Sequence, residues 1–246
     1  MWMSMGNRVD LKKARAVIII PVYNHEATIR NVVKAAQKLG LPVLVVDDGA
    51  TDASYDRIKD IPDIRILRHP VNQGKGAALM TGFAEASRIA DWAITLDADG
   101  QHDPLDAEQM IRSISTGERA LIIGARQGMT GDTVPWTSRF GRHFSNFWVY
   151  AAGGPMVADS QSGFRIYPLP ETLNLNVVAR RFQFEVEVLV KARWNNMLVK
   201  EVPVSVNYGS SGVRVSHFRP CIDFIRNSQT FTRLIFQRIF PFLIPR

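Results

Sequence analysis

The stretch "WAITLDADGQHDP", Trp92–Pro104, decides the reading of this chain. An apolar run, Trp92–Leu96, ends abruptly at Asp97, and Asp99 and Asp103 follow. Unpaired carboxylates this close repel one another, so a cation is expected among them. On an extended segment residues i and i+2 point the same way, so Asp97 and Asp99 can meet one hard divalent ion. Mg²⁺ or Mn²⁺ suits such oxygen ligands. Mg²⁺ usually takes only one or two protein carboxylates and completes its shell with phosphate and water. Gln101, again at i+2, can add a carbonyl oxygen. The ligand implied is a diphosphate.

Working outward, the first half of the chain alternates between two hydrophobic periods. Apolar runs at Ala16–Ile20, Val43–Val46, Ile64–Leu67, Trp92–Leu96 and Ala120–Ile123 read as strands. Helical patterns lie between them at about Ala27–Leu39, Ala53–Lys59, Lys75–Ala90 and Pro104–Ser115. This order predicts an α/β fold with a largely parallel sheet and helices on both faces. Continuously apolar strands fit that double burial. Ligands of such sheets bind beyond the carboxyl ends of the strands. Polar clusters occur at four of these ends: "PVYNHE", "DDGATD", "DADGQHD" and "GAR". Each alone is an ordinary capped turn; together they mark one rim.

Other readings of the acidic stretch stay open on the residues alone. A calcium loop is disfavoured, because His102 stands where that loop needs glycine and Pro104 interrupts it. An aspartate-nucleophile phosphatase would have a small hydroxyl residue where Gln101 stands, and its motif normally opens the domain. A purely structural acidic turn is the third. "NQGKGAAL", Asn72–Leu79, looks like a phosphate cradle. It is not a Walker loop, but Gly74 and Gly76 free the backbone at a helix N-terminus, where anions are favoured. A plain flexible turn fits the same residues.

In this order "PVYNHEATI", "VVDDGATD", "NQGKGAAL", "DADGQHDP", "GAR" and "DSQSGFRIYP" resemble glycosyltransferase family 2, and within it the dolichyl- and polyprenyl-phosphate sugar transferases. The similarity runs from about Val17 to Val206. The resemblance implies the GT-A fold, an inverting mechanism, a nucleotide-diphosphate sugar as donor and Mg²⁺ or Mn²⁺ as cofactor. It implies that Pro21, Tyr23, Asn24 and Glu26 line the nucleotide pocket, with Asp48 at the base and Lys75 close by. Asp97 and Asp99 match the family's D-x-D pair, gripping metal and donor diphosphate, with Gln101 as a third ligand. Arg126 and Arg165 match positions facing phosphates. A lipid phosphate acceptor is already anionic and needs no general base. A hydroxyl acceptor, on a glycolipid or another amphiphile, needs a carboxylate to take its proton; Asp159 is the first candidate and Glu185 the second. Outside the transferases, the phosphatase and an inactive nucleotide-binding accessory subunit remain as alternatives.

Lys plus Arg outnumber Asp plus Glu by 30 to 23 in 246 residues, a net charge of +7. This excess suggests phosphate-bearing partners, and the resemblance directs it to an anionic membrane and a lipid phosphate rather than nucleic acid. The single Cys221 excludes an intrachain disulfide. No signal peptide or long transmembrane run is seen. "RFGRHFSNFWVYA", Arg139–Ala151, reads as an amphipathic helix with Phe140, Phe144, Phe147 and Trp148 on one face and Arg139, Arg142 and Asn146 opposite. Relatives carry basic residues for the acceptor head group near Arg139 and Arg142. The C-terminal segment shows a second stripe, Phe224, Phe231, Ile235 and Ile239, with Arg226, Arg233 and Gln237 opposite. The expectation is one transferase domain over residues 1–218, an amphipathic helix and tail over 219–246, and peripheral attachment to the cytoplasmic face of a membrane.

Overall fold

The computed structural model describes residues 15–127, 136–206 and 220–240, with side chains from 141 and from 225 onward in the last two segments' helices. Seven strands form one sheet in the order β3-β2-β1-β4-β6-β5-β7. They are β1 (Ala16–Val22), β2 (Val43–Asp47), β3 (Ile64–Arg68), β4 (Trp92–Thr95), β5 (Leu121–Arg126), β6 (Arg165–Pro168) and β7 (Val199–Val204). The helices are α1 (Ile29–Gln37), α2 (Lys75–Ala86), α3 (Asp106–Arg112), α4 (Trp136–Ala151), α5 (Phe184–Trp194) and α6 (Pro220–Ile239).

The five expected strands are all present, and β6 and β7 are added to them. Only β6 runs against its neighbours, pairing antiparallel with both β4 and β5. That reversal places the beginning of β6 at the rim where β1, β2, β4 and β5 end. The segment "DSQSGF" before β6 thereby joins the strand-end loops. β1 shows why these strands are apolar throughout. Ile18, Ile20 and Val22 enter a cluster with Val33 of α1 and Met110 of α3. Val17 and Ile19 enter the opposite one, with Phe83 of α2, Leu189 of α5 and Phe231 of α6.

The helix expected over Ala53–Lys59 is a chain of turns instead. Its bonds mix three- and four-residue spans, such as Ile58 N–H to Tyr55 O and Arg57 N–H to Ala53 O. Its start is held by the loop after β1 instead, as described below. The C-terminal stripe also differs from expectation. In α6 the buried residues are Asn227, Phe231, Leu234 and Gln237, while Ile239 is 62% exposed. Gln237, expected on the polar face, faces the interior. Phe224 lies outside the described side chains. α6 is drawn onto α5 by Arg233 Nη2, 2.6 Å from the buried Glu187 Oε2, and onto α4 by Arg238 Nη1 donating to Ala151 O at 2.8 Å. In α4 the inward residues include Ser145 and Val149, continued just past its end by Ala152, and Phe147 is exposed. Trp148 stacks on Phe231.

Candidate active site

Thr95 ends β4 with its Oγ1 donating to Gly163 O at 2.7 Å, so "DSQSG" lies directly beside "DAD". There Lys75, first residue of α2, places Nζ 2.5 Å from Asp97 Oδ1 and 2.5 Å from Glu185 Oε1. Three residues far apart in sequence therefore form one charged cluster. Gly163 makes room for it. A Cβ on Gly163 would lie 2.6 Å from Lys75 Nζ and 2.7 Å from Asp97 Oδ1.

Burial by itself would raise the Asp97 carboxyl, but the Lys75 ammonium outweighs it and holds the group below the ordinary carboxylate range. Asp99 behaves oppposite to it: burial first, and the Asp97 charge second, push it up. Its Oδ1 accepts the Gln101 N–H at 3.0 Å. His102 packs on Phe164, and burial keeps its imidazole below its usual value. Its Nδ1 is buried with no hydrogen-bond partner among the described residues. A crowded carboxylate that resists ionisation and an orphaned buried nitrogen beside it both fit a charged guest. Among the described residues no three His, Cys, Asp or Glu side chains form a complete metal cage. Two carboxylates and a glutamine suit an ion that takes the rest of its shell from a ligand.

The second cluster gathers around Asp159, which is fully buried. Arg126, at the end of β5, donates from Nε to Asp159 Oδ2 at 2.7 Å and from Nη2 to Oδ1 at 2.9 Å. Burial would raise the Asp159 carboxyl; the Arg126 bonds prevail, with Arg142 of α4 adding its charge, and hold it low. Asn146 of α4 grips the same loop, accepting the Ser160 N–H at 3.0 Å and donating to Ala158 O at 2.8 Å. Arg142 thus lies at the site; the Arg139 side chain lies outside those described.

Several expected positions are occupied differently. Arg165, expected to face a phosphate, is completely buried. Its guanidinium donates to the carbonyls of Ser162 (2.7 Å), Glu185 (2.8 Å) and Ser160 (2.8 Å). A loop with no strand or helix of its own must satisfy its carbonyls through side chains, and Arg165 does so from below. The phosphate-cradle expectation for Gly74 and Gly76 also changes. A Cβ on Gly74 would lie 2.5 Å from Arg180 O, and one on Gly76 2.6 Å from Ala179 O. Ala77 N–H already donates to Arg180 O at 2.9 Å. These glycines admit the 179–181 backbone across the start of α2.

The loops after β1 and β2, expected to line a nucleotide pocket, are laced together. Asn24, in a left-handed conformation, accepts the Thr51 N–H at 2.8 Å, and Glu26 accepts the Ala53 N–H at 3.0 Å. The Glu26 N–H returns to Asp52 at 3.0 Å, and the His25 N–H reaches Ser54 Oγ at 2.8 Å. Pro21 is buried within β1, and Tyr23 is half-buried just beyond it. Asp48 is nearly fully buried. It accepts the Gln73 and Gly74 N–H groups at 2.9 and 2.8 Å, and sits 2.8 Å from His69 Nδ1. The other ring nitrogen of His69 is 3.0 Å from Thr81 Oγ1. Asp48 thus fixes the turn that delivers Lys75. His69 carries no motif that marks it before folding; Gly163 lies within "DSQSGFRIYP" and Asn146 on the expected polar face of α4, but nothing in either stretch marks the contact each makes.

The sequence profile of Glycosyl transferase family 2 matches residues 17–170. The chain belongs to this family. It is 31% identical over 213 residues to a UDP-N-acetylglucosamine--dolichyl-phosphate N-acetylglucosaminyltransferase of Methanococcus voltae, covering 78% of this chain and 85% of the relative. It is 30% identical over 189 residues to a dolichyl-phosphate beta-glucosyltransferase of Trichomonas vaginalis, covering 71% of this chain and 55% of that one. In three dimensions it matches glucosyl-3-phosphoglycerate synthase from Mycobacterium tuberculosis, crystallised with Mn²⁺, UDP and phosphoglyceric acid. The TM-score is 0.67 at 21% identity, over 96% of this chain and 84% of that one. The family 2 chain therefore carries the GT-A fold, and its polar strand ends are the rim described above.

Proposed function

We propose that the protein is an inverting, divalent-metal-dependent glycosyltransferase that moves a sugar from a nucleotide-diphosphate sugar to a lipid phosphate of polyprenyl or dolichyl type. One observation carries the choice of acceptor: both candidate bases are already paired with a cation, Asp159 with Arg126 and Glu185 with Lys75. A hydroxyl acceptor needs a free base; a phosphate oxygen is already anionic. The dolichyl-phosphate relatives support the same acceptor class.

In this reading Pro21, Tyr23, Asn24, Glu26 and Asp48 form the nucleotide side, and Lys75 and Asp97 meet the donor. Asp97, Asp99 and Gln101 would hold Mg²⁺ or Mn²⁺, which when bound neutralises charge developing on the diphosphate leaving group. Arg126, with Arg142 and Arg139, receives the acceptor phosphate, for which a planar guanidinium is suited. Asp159 orients Arg126, and Glu185 orients Lys75. Direct displacement by the phosphate oxygen inverts the anomeric carbon, and the nucleoside diphosphate departs toward Lys75. Peripheral attachment to the cytoplasmic face of an anionic membrane completes the proposal. It is supported by exposed Phe147 and Tyr150 on α4 and Ile225, Phe236 and Ile239 on α6. Among the described residues no helix is long and apolar enough to cross a membrane.

The test offers radiolabelled nucleotide sugars with Mn²⁺ to the purified protein together with polyprenyl phosphate or the free polyprenol. Label entering the organic phase only with the phosphate supports the reading. Label transferred to the alcohol, or phosphate release without transfer, overturns it.

A further inference from the structure

The loop that presents Asp159 has almost no regular structure to hold it, so its backbone groups must find side chains. Ser160 N–H and Ala158 O go to Asn146, and Ser160 O and Ser162 O go to Arg165. The Ala158 and Asp159 N–H groups go to Glu201, which lies beside Ile123 on the β7–β5 ladder. Its Oε1 accepts both, at 2.9 and 3.0 Å, and Oε2 is 2.9 Å from Ala158 N. Asp159 in turn takes three bonds from Arg126: the backbone N–H at 3.2 Å and the guanidinium at 2.7 and 2.9 Å.

We infer that Glu201 is a positioning residue for the acceptor phosphate: it fixes the Asp159 backbone, and Asp159 fixes the fork of Arg126. The inference rests on the acceptor role proposed above for Arg126. The relay is short and made of charge-assisted bonds, which are stronger and better aligned than neutral ones. Two carboxylates share the work. Asp159 sets the plane of the guanidinium, while Glu201 sets where Asp159 begins. Because β5 and β7 are neighbours in one ladder, Glu201 and Arg126 ride on the same rigid frame, and Asp159 is the adjustable link between them. Glu201 touches no reacting atom, so its loss should affect acceptor use and leave donor use alone.

Three variants and two readouts test this. Glu201→Ala should raise the acceptor KM by about tenfold or more, the usual scale for removing a supporting hydrogen bond from a ligand-holding group, with the donor KM unchanged. Glu201→Gln keeps an acceptor at the Oε1 position but loses the charge and sets an NH₂ group against the Ala158 N–H, so it should restore the acceptor KM only in part. Should Glu201→Ala fail to fold, Glu201→Asp, whose carboxylate stops a methylene short, takes its place with the same expectation. The second readout is the ¹⁵Nε–¹Hε signal of Arg126, identified by its loss in Arg126→Lys. It should be protected in the wild type, less so in Glu201→Gln, and exchange-broadened in Glu201→Ala. An unchanged acceptor KM with an unchanged signal overturns the inference, and so does equal damage to donor and acceptor use. If the wild type transfers nothing to polyprenyl phosphate, the functional reading fails by itself, and the Arg126 signal then decides the relay.

Discussion

Asp99 is a carboxylate whose surroundings, burial first and the Asp97 charge second, oppose its own charge. Replacing it by Asn removes the repulsion with Asp97, so the metal-free protein should melt higher by a few degrees. The same variant should lose the rise in melting temperature that Mn²⁺ gives the wild type, and with it sugar transfer; a Mn²⁺-dependent shift retained in Asp99→Asn contradicts the assigned metal role. Gly163 makes a sharper case. Its backbone conformation tolerates a side chain, so Gly163→Ala tests space alone. The new methyl would press on Lys75 Nζ and Asp97 Oδ1, and turnover should fall about a hundredfold, the scale of a misplacement near 1 Å. Steady-state kinetics with an unchanged circular dichroism spectrum checks it. Asp159 bears on pH. Its carboxyl is depressed in the folded protein, so its contribution to stability is complete above the ordinary carboxylate range and is lost only as pH falls through the lower folded value. It should not titrate between about pH 5 and 8. The pH profile for acceptor use should instead show one inflection near about 6, the second ionisation of a phosphate monoester. That inflection should survive in Glu185→Gln; its disappearance there would make Glu185 a base.

At the scale of elements, the start of α2 is set by β2 and β3 rather than by its own sequence. Asp48 at the end of β2 and His69 just after β3 meet beneath the Gln73–Gly74 turn, and His69 also reaches Thr81 within α2. His69→Ala leaves buried polar partners unmet and should cost about 1–3 kcal/mol, read from the urea midpoint with an unchanged m-value. The Asp48 bonds to the turn also lose support, so donor KM should rise. α6 depends on Glu187 in a comparable way. Glu187 accepts the Val178 and Ala179 N–H groups at 3.1 and 2.9 Å and pairs with both Lys191 and Arg233. Its position links the docking of α6 to the 178–181 strap that crosses α2.

At the scale of the molecule, two faces of different character are built on one sheet. The rim collects the carboxyl ends of the parallel strands and the beginning of β6, and there the charged side chains pair with one another. α4, whose Asn146 reaches the rim, packs on α6 through Trp148 and Phe231, and α6 leaves Phe236 and Ile239 facing outward. Flotation with anionic vesicles should retain the wild type at low salt and release it as salt rises, since long-range attraction to lipid is screened within about 10 Å at 0.1 M. Phe236→Ser with Ile239→Ser should weaken retention and leave the melting temperature within about 2 °C, because both side chains are exposed. Retention unaffected by the double substitution would move the membrane contact elsewhere.

The sequence by itself determined the alternating strands and helices, the D-x-D strand end and the order of the family motifs. The first is local: a buried strand needs an unbroken apolar run. The shared direction expected of Asp97 and Asp99 needs an extended segment, but β4 ends at Thr95 and Ala98–Asp99 form a turn, so their orientation is set by the loop. Tertiary structure alone decided which charges meet. Lys75 at the start of α2, Asp97 after β4 and Glu185 in α5 come together beside Gly163, which the reversed β6 brings next to β4, and no periodicity records that pairing. It also sent Arg165 inward, where loop carbonyls without a ladder needed donors, and used Gly74 and Gly76 for the passage of a neighbouring strap. The inward side of α6 was settled by Glu187 and the aromatic side chain of Trp148, contacts that a helical wheel drawn from one segment does not contain.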